Sequence, residues 1–228
     1  ANNYLLRITT TMLMYSALAL SWNFIGGFTG YPSFATAAFF GLGAYIGGLL
    51  QNKGVPMVMA WLSAAMLVLV FAAVVGRAIL HLKGHYFAIA SLVIADVLRE
   101  IINGLTDLTG GGMGLNLSAP QLSVDAQAKF FFYAMFTVAS LALLTTILLD
   151  RSRLGFGLRC IEQNEDASIR IGIQTSRFKT TAFALSSVFV GFAGAIYASW
   201  TGYIDPTEAF EVLISVKPIV MTLLGGAG

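Results

Sequence analysis

Residues 55–76 read VPMVMAWLSAAMLVLVFAAVVG, twenty-two positions without a single charged side chain. A helix crossing the ~30 Å hydrocarbon layer of a bilayer needs about 20 predominantly apolar residues, and this stretch supplies them. Working outward, six further apolar segments lie at 4–25, 33–50, 86–103, 130–149, 180–200 and 212–224, several of them short. Hydrophobic types make up 57% of the 228 residues and charged types only 11%. A water-soluble domain carries roughly 25% charge, so lipid must solvate most of this surface. The 24 glycines fit the same picture, because glycine lets membrane helices approach closely. The fold expected is all-α: a polytopic transmembrane helical bundle with discontinuous, glycine-broken helices. No tandem repeat or low-complexity linker divides it, so 1–228 reads as one membrane domain.

Basic residues orient the bundle. The loop 150–179 holds Arg151, Arg153, Arg159, Arg170, Arg177 and Lys179, and the link after Gly76 holds Arg77 and Lys83 beside His81 and His85. Two helices separate these loops, so both fall on one side, expected to be the cytoplasm. The opposite loops are acidic or mixed: 201–211 carries Asp205, Glu208 and Glu211 with no basic residue. Counting back places the N-terminus outside, and the glycine run at 225–228 stops abruptly. The chain is therefore expected to be truncated at both ends. The net charge of +2 is too small for a nucleic-acid partner, and Cys160, the one cysteine, excludes an internal disulfide.

Five constellations could carry chemistry. The run GGFTGYPS (26–33) cannot continue a helix, and Ser33 is a plausible cap for the next one. Irregular backbone at membrane depth survives only inside protein or beside a water-filled cavity. Gly26, Gly27, Gly30 and Ser33 are thus candidates to line a solute path, or simply to form a short turn. After the break, Gly43 and Gly47 form a G-x-x-x-G helix-contact signal. The run TGGGMG (109–114) lacks the lysine of a phosphate loop, so Gly110 and Gly111 mark a flexible or tightly turned loop facing a partner. Asp96, Arg99 and Glu100 share one helix face, with Asp96 about 15 Å from Tyr86. Ionisable groups at that depth are costly and usually face a bundle interior. Asp96 either walls a path or pairs with Arg99, the pairing being favoured; Lys217 could partner another buried carboxylate. His81 and His85 stand i, i+4 apart, but Gly84 interrupts them and no third ligand is near, so no metal is expected. In 150–179, Leu154, Leu158 and Ile161 form an apolar helix face, suited either to a solvated hairpin or to docking on a partner.

The motifs in series resemble the permeases of branched-chain amino acid ABC transporters, specifically the M-type subunit. They are GYPSFATAAFFGLGAY (30–45), LKGHYFAIA (82–90), LTGGGMGL (108–115), RSRLGFGLRCIEQNEDA (151–167), GIQTSRFK (172–179), GFAGAIYA (191–198) and LGGAG (224–228). The resemblance covers essentially the whole chain. It implies a translocating subunit with no cofactor of its own, ATP and Mg being handled by partners. Those partners would be a homologous H-type permease, two cytoplasmic ABC ATPases and a periplasmic solute-binding protein. It also implies a bacterial inner-membrane location and an ATPase-coupling segment carrying Glu165, Asp166, Ala167 and Gly172. That segment departs from the family's Glu-Ala-Ala-x-x-x-Gly pattern at two of seven positions. Tyr31-Pro32 replaces a smaller, more polar pair, and relatives also carry urea, amides and aromatic acids. An ion-coupled transporter or channel using Asp96 and Glu100 is the alternative; an intramembrane enzyme ranks last, since no catalytic constellation shares one depth.

Overall fold

The structure, a computed structural model, describes residues 3–117 and 123–227. Gly228, the last residue of the 224–228 motif, and 118–122 in the 103–129 loop lie outside the described residues. Every one of the seven apolar segments is a helix. They are α1 (Asn3–Asn23), α3 (Thr36–Asn52), α4 (Met57–Ile79), α5 (His85–Gly104), α7 (Val124–Asp150), α10 (Thr175–Thr201) and α12 (Val212–Gly225). Short helices join them: α2 (Gly26–Thr29), α6 (Thr106–Thr109), α8 (Arg153–Gln163), α9 (Glu165–Arg170) and α11 (Pro206–Ala209). Among the described residues three helices, α4, α7 and α10, are both long and apolar enough to cross a membrane. Others fall short for visible reasons. α3 has 17 residues and α12 has 14, while α5 carries Asp96, Arg99 and Glu100 in its length.

α10 is the axis of the bundle. Some 67% of its apolar window is buried inside the chain, against 33% for α4 and 28% for α7. The outer helices keep apolar rows exposed, Leu62, Met66 and Val70 on α4 and Phe136, Leu144 and Leu148 on α7. A helix that is apolar on its outer face as well as its inner one suits a lipid solvent. Small residues set the central contact. A Cβ added at Gly43 would stand 2.3 Å from the Gly191 carbonyl oxygen, one at Gly47 2.7 Å from Ala195 Cβ, and one at Gly194 2.1 Å from the Phe40 carbonyl oxygen. The G-x-x-x-G signal is thus the seam between α3 and α10, which run parallel.

Two stretches enter the bundle without spanning it. Between α1 and α3 the chain is buried at Phe24, Ile25, Phe28, Thr29, Tyr31 and Ser33. The seam register puts the start of α3 roughly 15 Å along α10 at 1.5 Å per residue. The break at 26–33 is therefore buried inside protein, not a solvated turn. After α10 the chain forms a two-residue antiparallel pairing, β1 (Leu115–Asn116) with β2 (Tyr203–Ile204). It then dips inward through α11, stacking Phe210 on Tyr45 with ring centroids 6.2 Å apart.

Serines close the exposed backbone where these stretches meet. Helix α3 starts among apolar side chains, where its first N–H groups have no water. Ser91 Oγ accepts from Phe34 N (2.9 Å), Ser33 Oγ from Ala35 N (3.3 Å) and Ser215 Oγ from Ala37 N (2.9 Å). Ser215 also donates to the Phe34 carbonyl at 2.7 Å, and Trp22 Nε1 donates to the Ser33 carbonyl at 2.8 Å. Gly194→Ala should lower the unfolding midpoint in detergent, because an overpacked seam costs about 1–3 kcal/mol. Gly104→Ala, which meets nothing within 4 Å, should leave it unchanged or slightly raised; equal effects would remove the seam from its central place.

Candidate functional site

The basic loop folds as a two-helix hairpin. Ser152 caps α8, its Oγ accepting from Gly155 N at 3.1 Å, and Asn164 Oδ1 caps α9 by accepting from Ala167 N at 2.9 Å. The face read from the sequence is the buried one: Leu158 and Ile161 are inside and Leu154 is partly so. Helix α9 ends in a double turn in which Gly172 N–H bonds the Ile169 carbonyl and Ile173 N–H the Ser168 carbonyl. That closure needs a left-handed residue, and Gly172 supplies it at φ 90°. Arg159 pairs with Asp150 and lies 5.5 Å from the ring centroid of Phe28 in the break. Phe156, Ile169 and Ile171 point outward, 68%, 53% and 72% exposed, which leaves the hairpin an apolar tip for contact.

Beneath the hairpin lies a buried ion pair. Lys179, in the second turn of α10, is 2% exposed. Its ammonium donates to Glu165 Oε1 (2.7 Å), to the Leu80 carbonyl at the end of α4 (2.9 Å) and to the Tyr31 hydroxyl (3.0 Å). It also lies 4.3 Å from the Tyr31 ring centroid. The Tyr31 hydroxyl in turn donates to Glu165 Oε2. All three ammonium donors and both carboxylate oxygens are used, the condition under which a buried pair is tolerated. Burial raises the cost of ionising Glu165, but the hydrogen bonds from Lys179 and Tyr31 outweigh it and hold its carboxyl below the usual range. Next to it Asp166 bonds Lys83 at 3.0 Å in the open, and that bond likewise lowers the Asp166 carboxyl. Four elements meet at Lys179: α9, the end of α4, the break and α10.

The structure joins some of the sequence candidates and separates others. Glu165 meets the break through Tyr31, and Gly26, Gly27, Gly30 and Ser33 belong to that break. Asp166 and Ala167 stay exposed on α9. Asp96 pairs with Arg99 at 3.5 Å, and Arg99 lies 3.6 Å from Glu100, on a half-exposed face of α5 away from this pair. Gly110 and Gly111 sit at the other end of the bundle. Both have positive φ, in a tight turn held by the Thr109 side chain and by Tyr203. Lys217, expected to meet a buried carboxylate, instead donates to the Tyr15 hydroxyl at 3.3 Å. The sequence marked Tyr31 only as a departure from the family's smaller, more polar pair, and Lys179 only as a loop charge; nothing there joined them. A lysine just before the apolar run 180–200, after Arg177, counts there as one more orienting charge.

The permease component of branched-chain amino acid transport systems matches residues 4–228 of this chain. The chain belongs to that family. Among its curated relatives, the permease is 28% identical to the LivM protein of a high-affinity branched-chain amino acid transport system in Salmonella typhimurium. That match covers 97% of this chain and 58% of LivM. The LivM of Escherichia coli is 26% identical with the same coverage of both chains. The LsrC permease of the autoinducer 2 import system in Salmonella paratyphi B is 27% identical, over 99% of this chain and 65% of its own. The chain thus spans about three-fifths of the length of the LivM relatives. No solved structure matches it. With its family and three apolar helices, the permease is a multi-pass membrane protein and a transport subunit.

Glu165→Ala should cost about 3–5 kcal/mol, since it leaves Lys179 buried and unpaired. The double variant Glu165→Gln with Lys179→Met should recover much of the loss; thermal unfolding of the wild-type protein and both variants reads this. With its native pKa depressed, Glu165 stabilises the hairpin fully above the ordinary carboxylate range of about 4.3. That stabilisation is lost as pH falls through the lower native value. Hydrogen exchange of α8–α9, corrected for intrinsic rates, should therefore stay protected at pH 5 and open only under stronger acid.

Proposed function

We propose that this chain is the membrane-spanning permease subunit of an ATP-driven importer in the bacterial inner membrane. It would act as one domain over 1–228, with 150–179 as its cytoplasmic coupling loop. The solute is a branched-chain amino acid or a related small molecule. ATP and Mg act on two cytoplasmic ABC ATPases, while a homologous H-type permease and a periplasmic solute-binding protein complete the assembly. The observation that carries the reading is the Lys179–Glu165–Tyr31 junction. It ties an exposed hairpin with an apolar tip directly to an irregular segment buried in the bundle.

Mechanically, a motor pressing on Ile169 and Ile171 moves α9. Glu165 leads off α9, so it moves with it, and its bonds carry the displacement to Tyr31 and Lys179. Tyr31 lies within the break, and Lys179 at the foot of the central helix. Past the single turn of α2, residues 30–34 of the break have no helical ladder to resist bending, so they are the compliant part. Asp166, Ala167 and Gly172 then act as surface and hinge of the coupling helix. Gly26, Gly27, Gly30 and Ser33 line the moving wall; Asp96, Gly110 and Gly111 are more distant candidates along the path.

Asp166→Lys and Gly172→Pro should each uncouple ATP hydrolysis from uptake by at least tenfold in proteoliposomes of the whole transporter. The protein should remain in the membrane. Unchanged uptake per ATP would remove the hairpin from coupling. Uptake that survives ATP depletion but collapses with an ionophore would instead favour the ion-coupled alternative.

A further inference from the structure

A second feature lies toward the end of α10 opposite the hairpin junction, at Tyr197, Trp200 and Thr201. Helices α1, α10 and α12, with α11 at the rim, enclose an open cleft of about 750 Å³. Its lining includes Arg7 and Lys217 as cations and Glu208 and Glu211 as anions. Among the described residues none of the four forms an ion pair with another within 4 Å. Two are instead held by tyrosines. Lys217 donates to the Tyr15 hydroxyl at 3.3 Å, with its ammonium 5.3 Å from that ring centroid, and the Tyr197 hydroxyl donates to Glu208 Oε1 at 2.7 Å.

Position makes the unpaired lysine informative. Tyr15 stands twelve residues from the start of α1 and eight from its end, roughly 18 Å and 12 Å along the axis. Lys217 is therefore about half-way along the bundle, and it is exposed. An ammonium at that level cannot face acyl chains; such groups face a protein interior or a water-filled cavity. Glu208 is bonded to Tyr197, only four residues from the end of α10, so the acidic groups lie nearer the mouth. The floor also carries apolar surface from Met14, Phe40 and Ile214.

We propose that this cleft is a binding station for a zwitterionic solute, a free α-amino acid with an apolar side chain. Its carboxylate is taken by Lys217, its ammonium by Glu208 and Glu211 toward the mouth, and its side chain by the Met14–Phe40–Ile214 surface. A solute bearing both charges pairs the groups that the protein leaves unpaired, and it fits a cavity of this size. The proposal rests on the transport reading above and gives that reading a location.

The test uses the full-length protein in its membrane complex, in nanodiscs, without ATP. On a Cys160→Ser background, Ile214→Cys is reacted with a membrane-impermeant thiosulfonate. L-leucine should slow the reaction about tenfold. Isoamylamine, which lacks the carboxylate, and 4-methylvalerate, which lacks the ammonium, should not. Lys217→Met should raise the L-leucine concentration needed about tenfold, and Lys217→Arg should restore it. Binding of radiolabelled L-leucine to wild-type and Lys217→Met complexes makes the same comparison without an added cysteine. Equal protection by all three compounds, or affinity unchanged in Lys217→Met, overturns the proposal. So does loss of a permease partner from the Lys217→Met complex, because the cleft is then a subunit contact. None of these readouts needs ATP, so their failure is distinct from failure of ATP-driven uptake.

Discussion

Inside hydrocarbon, a backbone N–H released from a helix has no water to bond, and leaving it unpaired costs about 1–3 kcal/mol. The architecture is organised around meeting that demand at one place, the start of α3. Three serines from three parts of the chain, Ser33, Ser91 and Ser215, accept from amides on the lead-in and first turn of that helix, whose N-cap is Ala35 and not Ser33 as expected. Ser215 bonds on both sides, to Ala37 N and to the Phe34 carbonyl. It thereby ties the first turn of α12 to the start of α3. The short C-terminal helix and the buried break are placed by the same constraint.

The close seam of α3 on α10 follows from it. An irregular segment occupies space beside the central helix, and α3 must start part-way along the bundle. It then has few turns in which to bury its surface. Glycines at 43, 47 and 194 let the two backbones nearly touch, so a short helix gains much dispersion contact per turn. Rigid seam and irregular break lie side by side, giving the bundle one stiff partner and one deformable one.

Charge is then disposed by depth. Lys179 is buried yet fully bonded, so it locks four elements together at the foot of α10. Lys217 is unburied in this chain and has only a tyrosine hydroxyl, at a level where lipid would be hostile. The two lysines, alike in composition, do opposite things because one has a carboxylate within 2.7 Å and the other, among the described residues, has none within 4 Å.

Much of this was legible in the residues alone. Apolar run length located all seven principal helices, since spanning is a matter of length and hydropathy. The glycine-proline cluster at 26–33 announced a break, and the 154–158–161 spacing the buried face of α8, because each depends on local backbone or helical period. Gly172 was visible as a helix stop for the same reason. What the sequence could not decide was whether the break is buried, which serines close it, and that Lys179 reaches Glu165 and Tyr31. Tyr31 and Lys179 are 148 positions apart. Their meeting depends on how α4, α9 and α10 pack around the break, and no local pattern encodes a contact that only the assembled bundle brings within hydrogen-bond reach.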